Sequence, residues 1–157
     1  MITEIDRTHL RRAVALARAA LANGDSPFGS VLVSGEGEVL FEDHNRTSGG
    51  DPTRHPEFEI ARWAALNLTP EQRRDATVYT SGEHCPMCAA AHGMAGLGKI
   101  VYASSSAQLR EWLAEFGFQP GPLKPLAIQD VIANAQVVGP VAEFTAELKE
   151  LQRRYRS

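Results

Sequence analysis

The sequence lacks most of the features that would assign a chain to a special class. Cysteine occurs only twice in 157 residues, too few for a small secreted domain stabilised by disulfides. No apolar run approaches the roughly 20 residues that a membrane-spanning helix needs. Internal repeats and low-complexity segments are absent as well. The remaining composition, 43% hydrophobic and 22% charged, predicts one compact domain over residues 1–157.

Basic residues are also scarce for a protein whose main task would be to bind phosphates. The chain has 16 lysines and arginines against 19 acidic residues, which gives a net charge of −3. This balance disfavours a nucleic-acid partner, although the C-terminal stretch "LQRRYRS" is basic. The N-terminal "MITEIDRTHLRR" carries acids where a secretory signal carries bases. We therefore expect a cytoplasmic protein that does not associate with membranes.

Helical and extended patterns alternate along the chain. Apolar residues recur with helical period from Leu10 to Leu21, and Gly24 follows as a C-cap. Residues 28–45 are typical of two strands joined by a tight turn at 35–37. Similar patterns predict further helices at 53–68, 85–97, 107–117 and 140–154, and further strands at 75–82, 99–105 and 125–131. Such alternation predicts a three-layer α/β domain with a mixed sheet.

Both cysteines, Cys85 and Cys88, lie in the short motif "CPMC". In a reducing compartment this spacing is typical of a redox dithiol, of half a structural zinc site, or of two buried thiols. A zinc site with four cysteines from one chain is excluded, because no second pair exists. The other interpretations stay open at this point.

His55 adds a third candidate metal ligand from the segment "DPTRHPEFEIARW". One imidazole and two thiolates suit zinc and leave its fourth tetrahedral position open to water. Pro56 and Pro86 predict that a helix begins beside each part of this set, because proline is tolerated in a first helical turn. Thiolates at a helix N-terminus are favoured by the helix dipole.

Two other histidines, His84 and His92, remain alternative ligands because they lie close to the cysteines in sequence. Glu57, two residues after His55, is by itself an ordinary acid at the start of a helix.

Together these motifs resemble the zinc nucleobase deaminases, the cytidine and deoxycytidylate deaminase-like superfamily. That family shows His-x-Glu followed by Pro-Cys-x-x-Cys, and this chain has "HPE" and then "HCPMC". The segments "SPFGSVLV", "HNR", "DPTRH", "ATVYTSGEHCPMC" and "GKIVYA" are also similar to the family in order and spacing. The resemblance covers roughly residues 10 to 103. It is strongest to the branch of guanine deaminases, tRNA adenosine deaminases and fungal-type cytosine deaminases.

The resemblance implies a set of catalytic residues. His55, Cys85 and Cys88 would bind one zinc ion per chain, and Glu57 would act as general acid and base. Glu57 would stand near the metal without binding it, and would carry a proton from water to the substrate and then to the departing ammonia.

The resemblance also implies the fold, the pocket and the assembly. The fold would be a three-layer α/β/α domain around a mixed five-stranded sheet. Phe28 would pack against the flat face of the base and Asn45 would hydrogen-bond it. The protein would be a homodimer acting on a small nucleobase or nucleoside.

Two positions near the expected substrate pocket depart from the family pattern. Pro56 stands between the histidine and the glutamate, where relatives have a small residue whose backbone N–H can reach the substrate. His84 precedes Cys85 where relatives have proline. It would be an added polar contact, a group behind the metal ligands, or an exposed loop residue.

The predicted reaction is hydrolytic deamination of a purine such as guanine or its nucleoside, because "DPTRH" and "TSGEHCPMC" look most like the guanine deaminases. Cytosine or a related small heterocycle is the alternative, and a tRNA adenosine deaminase follows after it. A zinc-stabilised binding domain without chemistry is the alternative from a different class.

Overall fold

The computed structural model describes residues 1–157. The helices are α1 (Glu4–Ala22), α2 (Pro56–Asn67), α3 (Pro70–Asp75), α4 (Pro86–Ala95), α5 (Ser106–Glu115), α6 (Ile128–Val131) and α7 (Thr145–Tyr155). The strands are β1 (Gly29–Val33), β2 (Val39–His44), β3 (Thr77–Gly82), β4 (Lys99–Ser104) and β5 (Val137–Val138). Short 3-10 turns occur at Thr47–Gly49 and Ala142–Phe144.

The five strands form one mixed sheet in the order β2-β1-β3-β4-β5. Strand β1 runs antiparallel to both β2 and β3, whereas β3, β4 and β5 are mutually parallel neighbours. The β1–β2 hairpin turns where predicted, and Gly37 takes the positive φ of 91° that this turn requires. The predicted three-layer α/β/α architecture with a mixed five-stranded sheet is confirmed.

Apolar side chains cover both faces of the sheet. Helices α1, α5 and α7 pack on one face, in a core that includes Leu10, Val31 and Val101. Helix α2 packs on the other face, where Ile60 lies against Leu32 and Val78. Helices α4 and α6 continue that second layer over β4. Because alternate residues of a strand point to opposite faces, the strand sequences decide which layer each side chain joins.

Two predictions for the C-terminal third are wrong. Residues 125–131 do not form the last strand, because the Asp130 carboxylate accepts the Ala127 N–H and caps the single turn of α6. The last strand is instead β5, two residues long. The final helix begins at Thr145 rather than at Pro140, because the chain is still extended at Val141, whose N–H donates to the Ala103 carbonyl at 3.0 Å.

Helix α3, like α6, was not predicted as a helix. In α3, Thr69 and Gln72 form a capping box in which each side chain accepts the other's backbone N–H. None of the helices has the length and apolar composition that a membrane-spanning segment requires.

Candidate metal centre and adjoining cavity

Three side chains from two helix N-termini come together at one end of the sheet. His55 is the N-cap of α2, Cys85 is the N-cap of α4, and Cys88 lies in the first turn of α4. The His55 Nδ1 atom lies 3.6 Å from the Cys85 Sγ and 3.5 Å from the Cys88 Sγ. All three candidate ligand atoms lie within 4.8 Å of one another. The three residues are therefore positioned to bind a metal ion, as the sequence predicts.

These distances fit zinc. With Zn–S bonds of about 2.3 Å and Zn–N bonds of about 2.0–2.1 Å, a sulfur and a nitrogen on one tetrahedral ion lie about 3.5–3.6 Å apart. The observed distances from the His55 Nδ1 to the two sulfur atoms, 3.6 and 3.5 Å, agree with this expectation. One imidazole and two sulfurs also form a donor set that selects zinc over calcium or magnesium.

Proton affinities at the cluster favour a negative charge on sulfur. Hydrogen bonds from Cys88 and His55 lower the pKa of Cys85 to about 4. The hydrogen bond to Cys85 raises the pKa of His55, while the shared hydrogen bond and burial raise the pKa of Cys88. The N-terminal ends of α2 and α4 both point at the cluster and stabilise thiolate charge. Binding of zinc to both sulfurs would therefore release the proton held by Cys88.

Glu57 lies in the first turn of α2, two residues from His55, and is only 6% exposed. Its Oε1 atom accepts hydrogen bonds from the Ser30 Oγ at 2.8 Å and the Thr80 Oγ1 at 3.2 Å. Burial raises the pKa of Glu57, and the hydrogen bond from Ser30 opposes that shift. The carboxyl group is therefore fixed in position and is not one of the clustered ligands.

A cavity of about 380 Å³ adjoins the cluster. This size lies within the range of about 300–1,000 Å³ that is usual for small-molecule sites. The predicted residues Phe28, Asn45 and Glu57 all line it, together with His55 and Cys85. The structure thus brings all the predicted site residues together, and only Cys88, which is fully buried within the cluster, does not line the cavity itself.

Asn45 and Phe28 are held by contacts within the chain. The Asn45 Oδ1 accepts hydrogen bonds from the Thr47 N–H at 3.0 Å and the Thr47 hydroxyl at 2.8 Å. This leaves the Nδ2 donors of Asn45 free to bind a ligand. The Phe28 ring lies over Gly82, where a Cβ atom would stand 3.0 Å from the ring. Gly82 therefore makes the room in which that ring packs.

The two alternative histidines do not join the cluster. His84 is fully buried with no hydrogen-bond partner for either ring nitrogen, and it does not line the cavity. It is therefore not an exposed loop residue. Its ring meets the ring of His92 edge to face at 5.4 Å, and burial lowers the pKa of His84 well below the ordinary value. The Nε2 of His92 lies 2.8 Å from the Gly98 carbonyl oxygen.

Sequence reasoning missed the residues that support this site from other elements. Ser30 and Thr80 face each other across β1 and β3, and their hydroxyls replace apolar side chains on the α2 face of the sheet. Polar residues within otherwise apolar strands were the available signal. The Glu83 carboxylate also lines the cavity and accepts the backbone N–H groups of Ser106 and Ile128 at 2.9 and 3.1 Å. Nothing in the sequence indicated that role.

An α/β/α sheet that carries one histidine, two cysteines and a nearby buried glutamate has the arrangement of a zinc deaminase. Residues 3–104 match the family model described as the cytidine and deoxycytidylate deaminase zinc-binding region. The chain therefore belongs to this family, and it is a hydrolase that acts on C–N bonds.

Relatives of known name agree on the family and differ in the substrate they are named for. A protein named "Probable cytosine deaminase" from Schizosaccharomyces pombe is 32% identical over 154 residues, covering 92% of this chain and 90% of that protein. Guanine deaminase from Bacillus subtilis is 38% identical over 106 residues, covering 66% of this chain and 67% of that protein. A solved structure of guanine deaminase from Bacillus subtilis covers 81% of this chain and 83% of its own, with 31% identity and a TM-score of 0.59.

Proposed function

We propose that the protein removes the amino group of a nucleobase or nucleoside by zinc-dependent hydrolysis, and that its substrate is a purine such as guanine. The observation that carries the proposal is the meeting of the His55, Cys85 and Cys88 donor atoms beside the buried Glu57 carboxyl group. A binding domain stabilised by zinc needs the three donors but has no use for the carboxyl group.

The chain's own residues then have distinct tasks. His55, Cys85 and Cys88 would hold zinc, which would supply a Lewis acid able to lower the pKa of a bound water to about 7. Glu57 accepts a proton from the attacking water and delivers it to a ring nitrogen of the base. The carboxylate then takes the remaining proton from the hydroxyl group added to the ring carbon and passes it to the amine, so that the C–N bond breaks, ammonia leaves and a carbonyl forms. The raised pKa of Glu57 suits a group that must both take up and release a proton near neutral pH.

Asn45 and Phe28 orient the base in this proposal. The free Nδ2 donors of Asn45 face an acceptor on the substrate, because the Thr47 hydrogen bonds fix the amide orientation. The Phe28 ring offers an apolar surface to the flat base. Pro56, the first residue of α2, has no backbone N–H to donate to the base, so in this proposal Asn45 supplies the hydrogen bond to the base.

Guanine is supported by the similarity to Bacillus subtilis guanine deaminase in the part of the chain that carries the metal motifs. Cytosine is the second candidate, because the relative named for it extends over nearly the whole chain, including the C-terminal third.

The test is ammonia release from a panel of free bases and nucleosides that contains guanine, guanosine, cytosine, cytidine and adenosine. We expect turnover of guanine by zinc-loaded protein and none after chelation, with recovery when zinc is returned. Release from cytosine alone would assign the second candidate. Zinc at one ion per chain with no release from any member would favour the binding domain. A redox dithiol predicts two titratable thiols in metal-free native protein.

We also propose that the protein is a cytoplasmic homodimer. Both cysteines are free thiols, as expected in a reducing compartment. Large apolar side chains remain exposed on the isolated chain, for example Leu66 at 83% and Met94 at 91%. A subunit contact is one way to bury such residues. Sedimentation equilibrium gives the mass in solution, and a monomer at micromolar concentration would refute the dimer.

A further inference from the structure

One cation reaches the cavity from the opposite end of the sequence. Arg156 follows α7, which Leu148 and Leu151 anchor in the core beside α1. Its side chain lines the same cavity as Glu57 and Asn45. The family match ends at residue 104, so this contact is not part of the zinc-binding region.

The guanidinium of Arg156 has no acceptor within the protein. It forms no ion pair, and its Nε atom is buried without a hydrogen-bond partner. Its central carbon lies 5.5 Å from the centre of the Phe118 ring and 5.2 Å from that of the Tyr155 ring. These aromatic faces hold the side chain in place but accept no N–H.

Two nearby charged residues differ from Arg156 in this respect. Arg153, one turn earlier, is 54% exposed and pairs with Glu150 at 2.6 Å. Glu83 is an acid that lines the same cavity, but its carboxylate oxygens accept hydrogen bonds from two backbone N–H groups and form no ion pair with Arg156. Arg156 is thus a partly desolvated donor group without a partner, and an acceptor on the ligand would compensate that desolvation.

A guanidinium presents two parallel N–H donors and pairs best with two adjacent acceptors, as with O6 and N7 of guanine. In guanine, N7 is bonded to C5 and O6 to the neighbouring C6, and C5 lies across the six-membered ring from C2, the carbon that carries the amine. Cytosine offers one oxygen and an N–H at the corresponding edge, and adenine offers one nitrogen acceptor and an N–H. Only guanine places two acceptors opposite the group that is removed.

We infer that Arg156 is a specificity-determining residue that donates two hydrogen bonds to the O6/N7 edge of guanine while the amine-bearing carbon faces the metal ligands. The inference rests on the proposed function, since it assumes that guanine is the substrate. It adds that selection of guanine over cytosine depends on a side chain outside the zinc-binding region.

The test compares guanine with 7-deazaguanine, in which a C–H replaces N7, for the wild type and for Arg156→Met. Methionine keeps an unbranched stem over Phe118 but removes every donor. In the wild type we expect loss of N7 to lower kcat/KM by about 10- to 100-fold, the size of a hydrogen bond to a charged donor. In Arg156→Met, which removes both hydrogen bonds, we expect a loss of kcat/KM on guanine that is at least as large, and replacing guanine with 7-deazaguanine should then change kcat/KM by no more than about twofold.

The matched control is Arg154→Met, which changes an exposed arginine at the end of α7, two residues before Arg156, that does not line the cavity. It should behave as the wild type on both bases. Arg156→Lys keeps the positive charge but loses the two parallel N–H donors, so it should discriminate between guanine and 7-deazaguanine far less than the wild type. It also serves as the test variant if Arg156→Met does not bind one zinc ion per chain.

Three results would overturn the inference. An equal loss on removal of N7 in the wild type and in Arg156→Met shows that Arg156 does not bind that edge. A wild-type preference for guanosine monophosphate over guanine that disappears in Arg156→Met shows that Arg156 binds phosphate instead. Turnover of cytosine with none of guanine refutes the proposed substrate, and this inference falls with it. The first two results leave the proposed deamination of guanine intact.

Discussion

Replacing Glu57 with glutamine separates the proton shuttle from the metal centre. Glutamine has nearly the same size, and its carbonyl oxygen can accept the hydrogen bonds that Ser30 and Thr80 now donate to the Glu57 Oε1. The amide cannot take a proton from water at neutral pH. His55, Cys85 and Cys88 are unchanged, so the variant should bind one zinc ion per chain.

The expected loss follows from the role assigned to the carboxyl group. General acid–base catalysis by one positioned side chain contributes typically about 10²–10⁴-fold, which is roughly 2.7–5.5 kcal/mol at about 1.36 kcal/mol per decade. Because Glu57 would serve in successive proton transfers, we expect the loss in kcat to lie at the upper end of this range. KM should change little, since the base is oriented by other residues.

The assay is steady-state ammonia release, with zinc measured on the same preparations by mass spectrometry. Glu59→Gln is the matched control, because Glu59 lies on the same helix, pairs with Arg54 at an N–O distance of 3.2 Å and does not line the cavity. It should retain wild-type turnover. If Glu57→Gln kept kcat within about tenfold of the wild type at full zinc occupancy, Glu57 would not be the shuttle.

Three further predictions test the metal site and the fold. Cys88→Ala should lose both zinc and turnover, and zinc retained at full stoichiometry would show that Cys88 is not a ligand. Burial opposes ionisation of Asp6, but hydrogen bonds, including one from the Tyr79 hydroxyl at 2.8 Å, lower the pKa of Asp6. The ionised Asp6 therefore stabilises the fold above about pH 4, and this stabilisation is lost as the pH falls through the lowered pKa. Asp6→Asn should thus lower the urea midpoint at pH 7 and have a smaller effect near pH 3, and an equal effect at both would contradict this. Gly29→Ala should lower the free energy of unfolding by about 1–3 kcal/mol, because an added Cβ would clash with the Ala13 carbonyl oxygen on α1. An unchanged thermal midpoint would contradict this and show that α1 can shift to make room.

Local sequence patterns predicted the fold well wherever local forces decide the structure. Helix α1 has its apolar stripe, and β1 and β2 have a turn that needs glycine at positive φ. The errors cluster in the C-terminal third, where long-range contacts decide instead. Residues 125–131 have strand-like composition, but the backbone N–H of Ile128 donates to the distant Glu83 carboxylate, and the segment turns as α6. A two-residue strand such as β5 has no sequence pattern of its own.

The candidate site likewise contains residues that the sequence predicts and residues that it does not. The three metal ligands could be predicted because two prolines fix where α2 and α4 begin, and the chemistry of zinc limits which residue types can meet there. The hydroxyls of Ser30 and Thr80 could not, because their reach to Glu57 depends on the register of β1 against β3. A shift of one residue in that pairing would place the two hydroxyls on opposite faces of the sheet, so that only one of them could reach Glu57.

The residues assigned to the chemistry and some of the residues that line the cavity come from different parts of the chain. Every residue assigned to the chemistry lies within residues 3–104, the part that matches the zinc-binding family model. The cavity wall is completed from outside that part by Ser106, Leu109 and Arg156. Glu83 joins the two parts, because its carboxylate holds the backbone at the start of α5 and of α6. If Arg156 selects the base as proposed, changes in the C-terminal elements would alter which base fits while His55, Cys85, Cys88 and Glu57 keep their geometry.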